Sequence, residues 1–161
     1  KPTIAALPGP AVGAGLALAM ACDIRIAAQS AFLSTGYLKI GLSGDYGIAW
    51  LLTRLVGTSR ARELMFTCDR VDAAKCEAIG LVNRVVPADE VMSTALELAA
   101  SICRNGPLAV RTSKEIAVRA LGLEEGFVLE KSLAAKVFAS NDAKEGPRAF
   151  AEKRKPDFTG Q

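Results

Sequence analysis

The opening of the chain limits its folding more than any other stretch: from Pro2 to Cys22 there is no charged side chain, yet Pro8-Gly9-Pro10 stands in the middle of the run. An uncharged segment of this length approaches a membrane span. Lys1, the apolar run and Ala19-Met20-Ala21-Cys22 also have the outline of a signal peptide with a small-residue cleavage site. The Pro-Gly-Pro break argues against both, because it interrupts any helix laid across it. The run instead predicts a buried strand over Thr3–Leu7, a tight loop over Pro8–Gly13 and a buried helix from Ala14.

The rest of the composition narrows the function classes. Of 161 residues, 50% are hydrophobic and 23% charged, which excludes a disordered chain. The 20 basic residues are nearly matched by 17 acidic ones and aromatics make up 6%, so no nucleic-acid partner is expected. There is no histidine. Histidine triads, histidine bases and zinc sites with a histidine ligand are therefore absent from these residues, leaving carboxylates, backbone amides or a cofactor to carry any chemistry. Cys22, Cys68, Cys76 and Cys103 lack metal-knuckle spacing, and no metal is expected. Cys22 and Cys103 lie among apolar residues and read as small buried hydrophobes. Reduced thiols favour a cytoplasmic protein, with no membrane partner.

Along the chain, short strands are expected at Asp23–Ala27 and Ala31–Ser34. Gly36 to Gly47 reads as a long surface loop anchored by Leu38 and Ile40. Helices follow from Asp45 or Tyr46 to Val56, closed by Gly57, and from Ser59 to Phe66, capped by Thr58 or Ser59. Asp72 caps a helix over Ala73–Ile79, and Leu81–Val86 is a strand stopped by Pro87. From Asp89, Val91, Ala95, Leu98, Ala99 and Ile102 recur at helical spacing. Two more helices, Pro107–Leu121 and Leu123–Ala139, precede a last one over Glu145–Lys153.

Gly9, Gly13 and Gly15 suggest a dinucleotide loop, but Leu18 occupies the third glycine position and no Lys-Ser/Thr follows, so neither nucleotide motif fits. A glycine-flanked loop entering a helix still presents free amides at the positive end of a helix dipole. That suits a developing oxyanion; the same glycines equally serve tight packing.

Several segments together carry a resemblance. Lys1-Pro2-Thr3-Ile4-Ala5-Ala6-Leu7-Pro8-Gly9-Pro10-Ala11-Val12-Gly13-Ala14-Gly15, continuing through Ala21-Cys22-Asp23-Ile24-Arg25-Ile26-Ala27, resembles the central signature of the crotonase (enoyl-CoA hydratase/isomerase) superfamily. Ile40-Gly41-Leu42, Leu52-Thr53-Arg54-Leu55-Val56-Gly57, Ala78-Ile79-Gly80-Leu81-Val82-Asn83-Arg84-Val85 and the tail from Glu145-Gly146 to Lys155-Pro156 resemble it as well. The resemblance runs through the whole chain in order.

It implies an α/β fold: the C-terminal part of a crotonase-like ββα spiral over residues 1–87, then a helical trimerisation region over 88–161 that makes homotrimers, often paired into hexamers. It implies an acyl-CoA thioester as substrate, with coenzyme A part of that substrate and no separate cofactor. It also implies a preceding N-terminal segment that supplies the first oxyanion amide. The second amide then belongs to Ala14, beside Gly13.

Hydratases of the family use two glutamates, and the matching positions here are Ala17 and Tyr37. Asp45, in Gly41-Leu42-Ser43-Gly44-Asp45, falls where some family isomerases keep an acid–base aspartate and where the dehalogenase branch keeps a nucleophile. Asp45 also suits an N-cap for a helix from Tyr46. Tyr37, Gly41 and Trp50 are candidates to line the acyl site, although core packing serves either aromatic equally. Lys153, in the basic run Lys153-Arg154-Lys155, is the candidate coenzyme A contact; a solvated terminus has the same composition. The resulting expectation is an isomerase-like enzyme that stabilises a thioester enolate. The alternatives are a silent CoA-thioester-binding paralogue and an Asp-nucleophile hydrolase or dehalogenase.

Overall fold

The uncharged opening run folds as two short strands and a helix: β1 (Ile4–Leu7), β2 (Ala11–Val12) and α1 (Ala14–Ala21). A computed structural model describes residues 1–40, 42–44, 46–119, 132–133 and 135–161. Within the expected loop over Pro8–Gly13, Ala11 and Val12 form a strand. Two residues are too few to show alternation, and they become a strand only by pairing with a partner distant in the chain. Among the described residues no helix is long and apolar enough to cross a membrane.

β3 (Ile24–Ala28), β4 (Phe32–Ser34), β5 (Val71–Asp72) and β6 (Arg84–Val86) complete two sheets. One has the order β1-β3-β6, parallel throughout; the other has the order β2-β4-β5, with β4 and β5 antiparallel. Ile4 pairs with Ile24 and Ala11 with Leu33, so successive turns of chain place a strand in each sheet and then a helix. This is the stacked ββα spiral that the resemblance implies. Asp23 and Thr3 fix the register at its start: the Thr3 N–H donates to Asp23 Oδ2 (2.7 Å) and the Asp23 N–H to the Thr3 carbonyl (3.1 Å).

α2 (Ile48–Val56), α3 (Thr58–Thr67) and α4 (Ala73–Ala78) continue the spiral. Ile48, Leu52 and Val56 form the buried face of α2. That helix starts after Gly47, later than the sequence suggests, and neither Thr58 nor Ser59 caps α3. Gly57, at φ 80°, ends one helix and begins the other, its N–H donating to the Thr53 carbonyl at 3.0 Å. The Asp72 cap forms as expected, accepting from the Lys75 N–H at 2.7 Å. Leu38 and Ile40 do not anchor the glycine loop: Tyr37–Ile40 is a 3-10 turn that leaves both exposed.

The chain forms two compact units, Thr3–Glu97 and Lys1–Pro2 with Leu98–Gln161, the boundary falling inside α5 (Val91–Cys103). In the second unit are α6 (Pro107–Arg119), helical residues 132–133 and 135–138, and α7 (Asn141–Ala151). The end expected for α6 and most of the expected Leu123–Ala139 helix lie outside the described residues. α7 begins earlier than its apolar pattern suggests because Ser140 caps it, accepting from the Ala143 N–H at 3.2 Å. Its end is a Schellman turn: the Lys153 N–H donates to the Phe150 carbonyl (3.2 Å) and the Arg154 N–H to the Ala149 carbonyl (3.0 Å), with Lys153 left-handed at φ 53°.

The thiols are distributed differently from expectation. Cys103 is exposed and Cys22 half-buried, whereas Cys68 and Cys76 are buried; all four are free. Burial, followed by the charge of Asp72, pushes the Cys76 thiol up to about 11, so it packs as a neutral group.

Arg25 is the least expected core residue, 3% exposed on β3. Its Nε donates to the Leu81 carbonyl (2.8 Å), Nη1 to the Cys22 carbonyl (2.7 Å) and Nη2 to Asn83 Oδ1 (3.4 Å). Asn83 also accepts from the Arg25 N–H (2.9 Å) and donates to its carbonyl (2.9 Å). One side chain thereby ties the end of α1 to the turn that enters β6. Arg25→Met would leave those carbonyls without donors, at about 1–3 kcal/mol each where water cannot replace them. Denaturant unfolding of the full-length protein is expected to show a loss of about 3 kcal/mol.

Candidate active site

The site is built at the junction between β2 and α1. The Gly13 N–H donates to the Ser34 carbonyl at 3.1 Å, extending the β2–β4 ladder by one residue. Gly13 then takes φ 56°, ψ −122°, a combination that side chains strongly resist, and the helix starts at Ala14. Ala14 itself has ordinary helical geometry, so its methyl group does not disturb the turn. Its N–H precedes the first intrahelical bond, in which the Ala17 N–H donates to the Gly13 carbonyl (3.0 Å). No hydrogen bond is formed by the Ala14 N–H among the described residues. No acidic residue lies in the first turn, so the positive end of the α1 dipole is uncompensated from within the helix.

β4 holds this junction through two hydroxyls that sequence reading missed. The Ser34 hydroxyl donates to the Cys68 carbonyl (3.0 Å) and the Thr35 hydroxyl to the Leu64 carbonyl (2.9 Å), both at the C-terminal end of α3. The Cys68 carbonyl lies past the last turn of α3, whereas the Leu64 carbonyl also accepts from the Cys68 N–H (3.1 Å), so the Thr35 hydroxyl is its second donor. Together they tie the strand that carries the N-terminus of α1 to the end of α3. Nothing in local sequence marks Ser34 and Thr35 as such; their burial is the signal.

Tyr37 closes one side. A Cβ placed on Gly13 would meet Tyr37 Cζ at 3.7 Å, and one on Gly44 would meet Tyr37 Cδ2 at 3.3 Å. The half-buried ring therefore lies between two glycines at positive φ, against the peptide that leads into Ala14. Ala17 is on the buried face of α1 at 1% exposure. Neither Ala17 nor Tyr37 carries a carboxylate.

Of the other candidates, Asp45 and Gly41 lie outside the described residues. Trp50 is on the outer face of α2, 56% exposed, with the Arg54 guanidinium 4.4 Å above its ring. Lys153 belongs to the other unit, exposed at the end of α7. Among the described residues no cluster of potential metal ligands occurs.

These features match a known family. The family model described as Enoyl-CoA hydratase/isomerase matches residues 1–161. The chain is 41% identical over 162 residues to enoyl-CoA hydratase EchA19 of Mycobacterium tuberculosis, covering 98% of this chain and 60% of that protein. It is 39% identical over 157 residues to the short-chain-enoyl-CoA hydratase of Clostridium acetobutylicum, covering 96% and 60%. The crystal structure of an enoyl-CoA hydratase from Bacillus anthracis superposes with a TM-score of 0.98 at 39% identity, over 100% of this chain and 63% of that one. The chain spans about three-fifths of the length of the curated relatives it matches. It belongs to the enoyl-CoA hydratase/isomerase family of the crotonase superfamily, with the crotonase fold.

Two glycine substitutions separate the junction from ordinary helix. Gly13→Ala meets no atom closer than 3.7 Å, so its cost is conformational. About 1–3 kcal/mol of stability should be lost. Gly15→Ala has open space within α1 and should gain about 0.5–1 kcal/mol. Thermal unfolding of the two variants reads the contrast.

Proposed function

We propose that the protein is an acyl-CoA-processing enzyme in which the thioester carbonyl is polarised by the Ala14 N–H, stabilising an enolate. The observation that carries this reading is the Ala14 amide at the N-terminus of α1, held there by Gly13 and β4 and without a partner among the described residues. The first turn of that helix holds no acidic residue. Backbone donors aimed at developing charge need no reorganisation during reaction, which is the basis of their catalytic weight. Coenzyme A enters as part of the substrate, and no separate cofactor or metal takes part.

Within that class we favour isomerisation of an unsaturated acyl-CoA over hydration. Two-carboxylate hydration needs an acid and a base flanking one water. The buried methyl of Ala17 and the aromatic ring of Tyr37 provide neither at those positions. Enolate isomerisation needs one group that removes a proton from one carbon and returns it to another, and Asp45 takes that role. Tyr37 and Gly13 line the acyl site with Gly41, Trp50 contributes an outer aromatic surface, and Lys153 contacts coenzyme A. A homotrimer or a hexamer of paired trimers is part of the proposal. Exposed Leu18, Ile40, Met92 and Leu96 supply apolar surface for such contacts. A cytoplasmic location is in keeping with four free thiols.

The test uses the full-length protein with a panel of enoyl-CoA and dienoyl-CoA thioesters. Asp45→Asn should reduce isomerase turnover by at least about 10²-fold, the usual weight of a positioned acid–base group. Turnover unchanged by Asp45→Asn removes Asp45 from the mechanism. Water addition faster than double-bond migration shows a hydratase, and tight binding without turnover shows a silent thioester-binding protein.

A further inference from the structure

The C-terminal tail is held by a network that the proposed chemistry does not use. Asp142, 6% exposed in the first turn of α7, accepts from the Thr159 N–H (2.8 Å), the Thr159 hydroxyl (3.4 Å) and the Gly160 N–H (2.9 Å). One turn further, Glu145 binds the Arg154 guanidinium through both carboxylate oxygens, the Nη2–Oε2 distance being 2.9 Å, and accepts from the Asp157 N–H at 3.0 Å. The Asn141 N–H donates to the Gln161 carbonyl at 2.7 Å. The Phe158 ring lies over the bare faces of Gly106 and Gly146, where added Cβ atoms would meet it at 3.8 Å and 3.7 Å. The tail therefore doubles back along α7 and is clasped by two of its carboxylates.

The clasp has a consequence for the residue at the bend. Lys153 stands between Glu152 and Arg154, which bind each other at 2.6 Å, and Glu152 also holds Arg148 at 3.0 Å. Arg154 is thus spent on internal carboxylates. Lys153 is exposed, left-handed, and forms no ion pair among the described residues. A basic run that reads as three equivalent charges is one neutralised arginine flanked by two outward lysines, with the backbone of Lys153 fixed from both sides.

We propose that Asp142 and Glu145 are positioning residues for coenzyme A: by clasping the tail they hold Lys153 where its ammonium meets the phosphates of the nucleotide end. This rests on the reading of Lys153 as a coenzyme A contact. A mobile lysine surrenders side-chain and backbone freedom on binding a phosphate, and a clasped one surrenders less. The Glu145 carboxyl is held down at about 2, first by its bonds to Arg154 and then by the Asp157 N–H. With the folded value depressed, the clasp is intact at all pH above the ordinary carboxylate range and loosens only as pH falls towards that value.

The test compares an acyl-CoA with the corresponding acyl-pantetheine, which lacks the nucleotide phosphates, in the full-length protein. Lys153→Ala and Glu145→Gln should each raise KM for the acyl-CoA by about tenfold, with the double variant no worse than either single one. KM for the acyl-pantetheine should stay within about twofold, a selectivity that a merely structural clasp would not show. If Glu145→Gln unfolds the protein, Asp142→Asn is read in the same way. A Glu145→Gln enzyme that matches wild type on both substrates, or loses both equally, overturns the clasp while a selective Lys153→Ala effect keeps the lysine contact. A Lys153→Ala enzyme with unchanged KM for the acyl-CoA overturns the contact itself, and the clasp's role with it.

Discussion

A strand that turns directly into a buried helix needs one residue whose backbone can take a φ that side chains resist, and Gly13 meets that need between β2 and α1. Its N–H remains in the sheet, bonded to Ser34, while the next N–H, that of Ala14, has no partner among the described residues. β4 and the residue after it are tied to the end of α3, where the Ser34 and Thr35 hydroxyls donate to the Cys68 and Leu64 carbonyls. Support thus passes from a helix C-terminus to a strand and from the strand to a helix N-terminus. The same bonds satisfy the backbone and aim the amide.

Arg25 performs a similar service at the other end of α1. Burial of a guanidinium is costly unless its donors are met by hydrogen-bond acceptors. Here each of the three guanidinium nitrogens donates one bond, to the Leu81 and Cys22 carbonyls and to the Asn83 side chain. The small residues around this frame, Ala17, Ala27, Ala28 and Ala61, are almost fully buried and let helices lie close to strands. Both ends of α1 are therefore fixed by polar contacts inside an apolar core, which keeps its N-terminus in one place.

What could be read from the chain follows the range of each signal. The Asp72 cap, the Gly57 helix end and the start of α1 depend on neighbours a few residues away, and all three are legible. β2 depends on β4, and Arg25 on the turn at Leu81–Asn83, so local pattern does not show them. The exposure of Leu38 and Ile40 likewise turns on how the 3-10 turn sits, not on their hydrophobicity. At the site, the glycine loop suggested free amides at a helix N-terminus or tight packing, and the resemblance implied that one such amide is that of Ala14. The place of the Tyr37 ring depends on positive φ at Gly13 and Gly44, a property of the folded backbone.

The Ala14 N–H has no hydrogen-bond partner among the described residues, which makes the central claim open to a backbone test. Replacing alanine at position 14 with lactic acid in the full-length protein exchanges that N–H for an ester oxygen and keeps the methyl group. Turnover of the best acyl-CoA substrate should fall by about 10²–10³-fold, the weight of one oxyanion donor. Stability should drop by no more than about 1 kcal/mol, because the Gly13 ester carbonyl is a weaker acceptor for the Ala17 N–H. Turnover equal to that of the amide protein would contradict the account.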